Sequence, residues 1–538
     1  MARYETEWQF DAPDLAALRG ALESRQEMGG FQLRRGAARE LTDCYLDTSD
    51  SRLAHAGFAL RLRSDGARSE ATLKALRSES SAPTEPTVRK EIRQPVEDSS
   101  VAKLLAADGP VSDRTRAVVG EQPLNLLLKV RTHRDVFQVM DGDVEAAEID
   151  LDDTHFGEAG DAGAPLQRVE VEVHAASVPS MLPLLAELCD AASLEPASRS
   201  KLEAGLAACG GHLDVGAPAP EPFATTTPAV TVGQILLRRQ LAAWRATEPA
   251  VRLGEDPAAL HELRVTGRRI IAALRILEAA SLGGALGLRR RQQALLRRMS
   301  PARDLDVQRR ELDDYSQSIG EVDLLPAIRR LESLRAARQR QLLRLFDSPR
   351  VRRLLLALDA LSVRAPGRRR QQSIGATASK LLRQRHRRLR RQARLAIARG
   401  TANSCHQLRL EAKKLRYVAE PLVVLYGEPL QRFLRRLQRL QLLLGRMNDA
   451  HHATVSLEQL ARRRQRLPAT ALFAIGRVSE RQQRRYEESR ATLRNAWRRV
   501  RGRSWRQLRR VMRERQDVRP ASAPAPEPAA TPEPAGRQ

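Results

Sequence analysis

The chain has 538 residues, 42% of them apolar, with 92 Lys plus Arg against 65 Asp plus Glu and four Cys. That is enough for two or three cored domains and excludes a short disulfide-stapled scaffold. The net charge of +27 is unevenly spread, since residues 1–230 hold 24 basic and 38 acidic side chains and residues 231–538 hold 68 and 27, balances of −14 and +41.

In chain order, period-two alternation recurs at 4–10, 59–63, 71–75, 88–93, 128–132, 136–140, 147–152 and 169–173. Eight short strands predict an antiparallel sheet or barrel. Helical spacing interrupts them at 14–24, 99–105 and 179–188, so the first domain, 1–210, is α+β. Residues 211–227, rich in Pro, Ala and Thr, cannot bury a continuous face and read as a linker. From 228 to 515 the pattern has a 3.6-residue period almost throughout, which predicts an all-α domain in two halves with a break near 365–378. The Ala-Pro-Glu-Pro themes of 516–538 read as a disordered tail.

The charge contrast implies two domains with different electrostatic tasks, the second holding polyanions: nucleic acid, inorganic polyphosphate or anionic membrane. Cys44, Cys189, Cys209 and Cys405 form no C-x-x-C and no zinc spacing, which points to a reducing compartment. The opening Met1-Ala-Arg-Tyr-Glu-Thr-Glu is charged where a signal peptide is apolar, and no apolar stretch has bilayer length, so a soluble cytoplasmic protein is expected.

The polar positions of the strands concentrate charge two residues apart: Glu5 and Glu7, Arg61 and Arg63, Arg89 and Glu91, Lys129 and Arg131, Glu148 and Asp150, Glu170 and Glu172, with Lys74. Each pair projects from one face of its strand. Such a face is either a solvated exterior with scattered ion pairs or the interior of a barrel. Unpaired buried ions lose several kcal/mol of solvation each, so a charged interior requires a ligand of matching charge. Guanidinium and ammonium groups suit phosphate oxygens and clustered carboxylates suit Mg²⁺ or Mn²⁺; together they describe a metal–polyphosphate complex.

Glu5-x-Glu7, Tyr45-Leu-Asp47-Thr48, Leu60-Arg61-Leu62-Arg63, Thr72-Leu73-Lys74, Arg89-x-Glu91, Lys129-x-Arg131, Val169-Glu170-Val-Glu172 and Ser200-Lys201, in that order over about 1–210, resemble the CYTH domains, or triphosphate tunnel metalloenzymes. The resemblance implies an eight-stranded antiparallel tunnel and a metal-dependent triphosphatase, hydrolysing inorganic tripolyphosphate to diphosphate and phosphate. It implies that Arg61, Arg63, Lys74, Arg89, Lys129, Arg131 and Lys201 hold phosphate oxygens. Glu5, Glu7, Glu170 and Glu172 would hold Mg²⁺ or Mn²⁺ or position water, with Asp150 and Glu91 as second-rank acids. The family's opening motif is Glu-x-Glu-x-Lys, and here Gln9 stands in place of the Lys, so Gln9 joins the expected catalytic set as a neutral donor. Thiamine triphosphate, nucleoside triphosphates, ATP cyclisation and a non-catalytic polyphosphate receptor remain as alternative readings.

In the basic half, His261-Glu-Leu-Arg264-Val-Thr-Gly-Arg268-Arg269 repeats as His406-Gln-Leu-Arg409-Leu-Glu-Ala-Lys413-Lys414, and Asp304 and Asp449 each follow their His by 43 residues. On a helix, positions i, i+3 and i+7 make one basic stripe, which Arg416 and Tyr417 continue in the second copy. Neither copy has a second His or a Cys at i+3 or i+4, so a phosphate-contacting or Asp-paired His is favoured over a metal ligand. These segments, with Arg303-Asp304-Leu-Asp306-Val307 and Leu444-Gly445-x-x-Asn448-Asp449, resemble the CHAD domain over about 228–515. That resemblance implies two related helical bundles binding inorganic polyphosphate through His261, Arg264, Arg268, Arg269, Arg303, His406, Arg409, Lys413, Lys414, Arg416 and Tyr417, with localisation to polyphosphate granules. Nucleic acid ranks second, because only ten aromatics follow the linker and stacking platforms are scarce. Membrane binding is not expected, and the sequence sets no oligomeric state.

Overall fold

The computed structural model describes residues 2–76, 85–98, 100–158, 163–174, 176–213, 221–319, 325–365, 372–462 and 468–515. The tail expected at 516–538 lies outside them, as do parts of the linker at 211–227 and of the break at 365–378. The chain divides into two compact units: Met1–Pro218 with Ala242–Val265 and Arg338–Arg352, and Ala219–Leu241 with Thr266–Ala337 and Arg353–Gln538.

The first unit carries β1 (Ala2–Asp11), β2 (Glu27–Met28), β3 (Phe31–Arg35), β4 (Arg39–Asp47), β5 (Phe58–Ser64), β6 (Ser69–Ala75), β7 (Thr87–Val96), β8 (Asn125–Asp141), β9 (Val144–Phe156), β10 (Leu166–Val173) and β11 (Glu195–Pro196). Eight of them run β8-β4-β5-β6-β7-β1-β10-β9, every pairing antiparallel, and a further β8–β9 pairing closes the ring into a barrel. Closure leaves none of the eight with an open edge, which removes the template for edge-to-edge aggregation.

Alternation decides what each face does. The outward residues Leu60 and Leu62 of β5, Ala71 and Leu73 of β6 and Ile92 of β7 pack in one apolar cluster. Its lid is α2 (Arg52–His55), α3 (Val101–Ala106) and α4 (Pro110–Val119), through Leu53, Leu104, Val111 and Val118. Across the barrel, Trp8, Phe137, Ile149, Leu151, Val169 and Val171 are covered by Leu15, Leu18 and Leu22 of α1 (Leu15–Glu23) and Met181, Leu184 and Leu188 of α5 (Val178–Ala192). With the outside of the sheet apolar and covered, the charged face is the inside.

Two runs expected as separate strands, 128–132 and 136–140, belong to the single 17-residue β8. The eighth wall is instead β4, which escaped the pattern because its inner face mixes Leu41 and Tyr45 with a buried Asp43. A third cluster, of Tyr45, Leu128, Val130, Phe156, Leu202 and Leu206, seats α6 (Lys201–Ala208) against β8 and β9. The fit demands Gly205, where a Cβ would stand 2.5 Å from Leu128 and 2.6 Å from Phe156. Ser200 and Glu203 form a capping box at its first turn.

The C-terminal region is all helix: α7 (Ala229–Leu253), α8 (Pro257–Ala279), α9 (Ala285–Ile319), α10 (Leu325–Phe346), α11 (Pro349–Val363), α12 (Ile374–Arg399), α13 (Ala402–Ala419), α14 (Val423–Arg462), α15 (Ala469–Arg501) and α16 (Arg503–Glu514). The last five and α9 belong to the second unit. Gly427, at φ 54°, breaks α14 near its start. No helix among the described residues is long and apolar enough to cross a membrane.

Candidate functional site

Inside the barrel the strand registers place Glu7 beside Glu172, Gln9 beside Glu170 and Glu5 beside Arg89, while Glu170 faces Asp150 and Lys74 faces Glu91 on neighbouring strands. The side chains then bind one another. Lys74 Nζ lies 2.6 Å from Glu5 and 3.0 Å from Glu7. Arg63 forms a bidentate fork on Asp43 at 2.7 and 2.8 Å. Arg134 bonds Asp152 at 2.7 Å, Glu170 at 2.9 Å and Asp150. Lys201, aimed inward by α6, bonds Asp152 and lies 3.2 Å from Glu170, to which Gln9 Nε2 donates at 3.0 Å. A cavity of about 60 Å³ lies among Gln9, Arg61, Lys74, Arg89, Glu170 and Lys201, with Tyr45, Leu76 and Leu202 as an apolar wall.

These contacts set the protonation states. Burial by itself would raise the Glu170 carboxyl, but Lys201 and Arg134 override it and hold it well below its ordinary value. Asp43 is likewise held down by Arg63 and Arg61 against the effect of its burial. Glu7 goes the other way: burial raises it, only partly countered by Lys74, and Glu170 and Glu5 add repulsion. Asp150 is raised by burial, with Arg134 opposing and Asp152 reinforcing.

Glu5, Glu7, Gln9, Arg61, Arg63, Lys74, Arg89, Glu91, Asp150, Glu170, Glu172 and Lys201 therefore converge on one interior. Lys129 and Arg131 do not. The β8–β9 register, regular from Val130 to Val139, sets Thr132 and Arg134 on the inner face, opposite Thr154 and Asp152, so odd-numbered Lys129 and Arg131 point outward, and Arg131 bonds the Glu158 carbonyl. Alternation finds two faces without saying which is inside. Sequence reasoning missed Arg134, Asp152 and Asp43; the signal for Arg134 is its even parity with Leu128 and Val130, both turned into the barrel's third apolar cluster. Asp47 of the Tyr-Leu-Asp-Thr segment accepts the amides of Thr48, Leu53 and Ala54 and so fixes the turn into α2.

The acids are hard oxygen donors of the kind Mg²⁺ or Mn²⁺ takes. Glu91 Oε1 and Asp150 Oδ1 are buried without a hydrogen-bond donor, and the residues fit a divalent cation on that ground. Among the described residues no set of three or more His, Cys, Asp or Glu is spaced to hold a metal as it stands; Lys74 and Arg134 occupy the gaps between carboxylates.

In the second unit, a basic cluster gathers Arg268 of α8, Arg303 of α9 and Arg409, Lys413, Arg416 and Tyr417 of α13. Arg268 Nη1 approaches the Tyr417 hydroxyl at 3.4 Å, Arg409 lies 3.7 Å from Asp449, and Arg416 stacks over Tyr417 at 5.0 Å. Arg303 Nη1 and Arg409 Nε are buried without an acceptor. Burial and the neighbouring Arg409 and Arg268 push the Lys413 amine down to about 6. His406 Nδ1 donates to Asn448 Oδ1 at 2.6 Å rather than to Asp449, and its ring lines a cavity of about 260 Å³ with His451 and His452. Arg269 is exposed and Lys414 is bound to Glu411 at 2.5 Å; each is the second basic residue of its pair, a hundred degrees around the helix from the first. His261 and Arg264 fall in the α8 segment that groups with the first unit.

Comparison with known proteins matches residues 19–205 to the CYTH domain and residues 235–458 to the CHAD domain. No curated protein matches. Among solved structures, the CHAD domain from the plant Ricinus communis is 25% identical, covering 51% of this chain and 95% of that one, with a TM-score of 0.42. The Hippeastrum protein HpAC1, a putative adenylyl cyclase described as having a dominant triphosphatase activity, is 18% identical over 39% of this chain and 98% of its own, with a TM-score of 0.30. PptA from Streptomyces chartreusis is 19% identical over 50% and 99%, with a TM-score of 0.39.

Proposed function

From a chain that is a CYTH domain at 19–205 followed by a CHAD domain at 235–458, we propose that the barrel is a divalent-metal-dependent inorganic triphosphatase and that the helical domain binds inorganic polyphosphate. CYTH proteins form the triphosphate tunnel family, phosphohydrolases that generally use divalent metals. The observation that carries the reading is the enclosed volume on which Arg61, Lys74, Arg89 and Lys201 converge opposite buried carboxylates.

In this reading water adds to the terminal phosphorus of tripolyphosphate, the phosphoanhydride bond breaks, and diphosphate and phosphate leave. Arg61, Lys74, Arg89 and Lys201 neutralise the oxygens on which charge grows. Glu5, Glu7, Asp150, Glu170 and Glu172 are the candidates to hold Mg²⁺ or Mn²⁺. When bound, the cation supplies charge neutralisation across the phosphates and a template for the attacking water. Gln9 orients Glu170 through its amide hydrogen bond.

The test is phosphate release from tripolyphosphate, thiamine triphosphate, nucleoside triphosphates and long polyphosphate, each with Mg²⁺ and with Mn²⁺. Metal-dependent release that prefers tripolyphosphate and disappears in Arg61→Ala and Glu170→Ala is expected. A second reading, a receptor that binds without turnover, is favoured by the neutral Gln9; tight polyanion binding with no release from any member of the panel would establish it instead.

A further inference from the structure

Away from the cluster around Lys413, α12 and α16 build a second basic surface. They pack antiparallel: Ser379 reaches the Met512 carbonyl at 3.4 Å, and seven residues along α12 the His386 ring stacks on Trp505, with centroids 3.7 Å apart and planes 9° from parallel. Trp505, Leu508 and Met512, the apolar stripe of α16, are buried by this packing. What remains outside is arginine. Arg506, Arg509, Arg513 and Arg515 are exposed on or just after α16, as is Arg390 on α12.

The two rows lie side by side. Arg390 and Arg509 both act on His386, and Arg383 and Arg515 both act on Tyr426. The α12 helix contains no acid, and α16 has Glu514 alone. This second surface lies in part beyond the CHAD match, which ends at 458.

We propose that the arginine rows of α12 and α16 dock duplex nucleic acid through its phosphates. Two adjacent helices rich in guanidinium groups, with Glu514 their single carboxylate, match the two phosphate backbones of a duplex, whose binding gains from every phosphate neutralised. Neither helix exposes an aromatic side chain, so a single strand finds no base-stacking platform. The apolar stripe is spent on packing, so a lipid surface gains only charge contacts.

The experiment uses the full chain, with a fluorescent mixed-sequence duplex and the single strand of equal length titrated across a range of salt. Long inorganic polyphosphate serves as competitor. Duplex binding tighter than single-strand binding is expected, with its salt slope flattened by about three in Arg506→Gln/Arg509→Gln/Arg513→Gln, about 0.9 for each phosphate no longer neutralised by a guanidinium. The triple Lys variant should restore binding, and Arg268→Ala/Arg409→Ala should leave it unchanged. Each of three results overturns the proposal: no measurable duplex binding, an unaltered slope in the folded Gln variant, or equal loss in the Arg268/Arg409 variant, which would assign duplex and polyphosphate to one site. None of these readouts depends on turnover by the barrel.

Discussion

Replacing Arg134 by Met tests whether the barrel interior is held together by its charges. The guanidinium is the shared partner of Asp150, Asp152 and Glu170, and its neighbours on β8 and β9 are fixed by a ladder that is regular from Val130 to Val139. Removing one member of a buried ion pair typically costs about 3–5 kcal/mol, because the partner is left charged and unsolvated. Lys201 still reaches Asp152 and Glu170, so Asp150, whose Oδ1 already lacks a donor, is the acid left alone. The lower end of the range, about 3 kcal/mol, is the expectation, and for a unit of this size it lowers the melting temperature by about 6–12 °C. Calorimetry of the full chain measures it, with hydrogen exchange on β9 and β10 peptides assigning the transition to the barrel. Arg134→Lys, which keeps the charge and loses the fork, should recover part of the deficit, and millimolar Mg²⁺ should stabilise the Met variant more than the parent. A loss below about 1 kcal/mol, or one indifferent to the Lys replacement, would refute the reasoning.

Gln9→Lys places a cation beside Glu170 in the cavity, and turnover of tripolyphosphate should rise by about 10²-fold, the scale of one preorganised donor; steady-state kinetics with unchanged or lower turnover would show that the position is not limiting. His386, stacked on Trp505 and depressed to about 3 by burial and by Arg390 and Arg509, stays neutral in the fold below pH 6.5, where the unfolded chain takes up a proton. Its contribution is full above 6.5 and drains at up to about 1.4 kcal/mol per pH unit as pH falls toward 3. His386→Phe should remove about 2 kcal/mol of the stability difference between pH 7 and pH 5 in urea unfolding of the helical unit, and identical slopes would count against it. Lys413 is largely uncharged above pH 6, so polyphosphate binding at pH 8 should take up nearly one proton. Calorimetry in buffers of different ionisation enthalpy reads that proton, which Lys413→Arg should abolish; proton uptake that survives in the Arg variant would assign it elsewhere.

The strand faces and the repeated helix signature were legible because each is a local periodicity carried by residue type. Parity along β8 was not, since Lys129-x-Arg131 and Thr132-x-Arg134 alternate equally well, and the even parity that Arg134 shares with Leu128 and Val130 marks the inner face once Arg134 is seen paired with Asp152 on β9. The same limit hid Asp43 on β4, an isolated acid among Leu41 and Tyr45 whose partner Arg63 comes from the neighbouring strand. Lys201 was found through its serine, whose cap on α6 is a local device, yet its contact with Asp152 spans 49 residues of chain. For the basic half, the pairing of His406 with Asn448 rather than Asp449 turns on one helical position, a hundred degrees of rotation that spacing cannot resolve.

The two clusters differ in what they lack, and that difference bears on what each takes. Inside the barrel both lysines are already held by acids, so a bare polyanion entering there must pull Lys74 from Glu5 and Glu7, and Lys201 from Asp152 and Glu170. Each exchange strands a carboxylate in a low-dielectric interior, at a penalty of several kcal/mol. A phosphate chain that carries its own divalent cation hands a positive charge to the stranded acids as it takes their bases, so the interior selects the complex over the free anion. Around Lys413 the imbalance is reversed: Arg303 and Arg409 hold buried nitrogens without acceptors, and the amine is starved of its charge by its neighbours. There a free polyanion breaks few existing pairs and restores a proton, and a cation bound to it would only weaken the attraction.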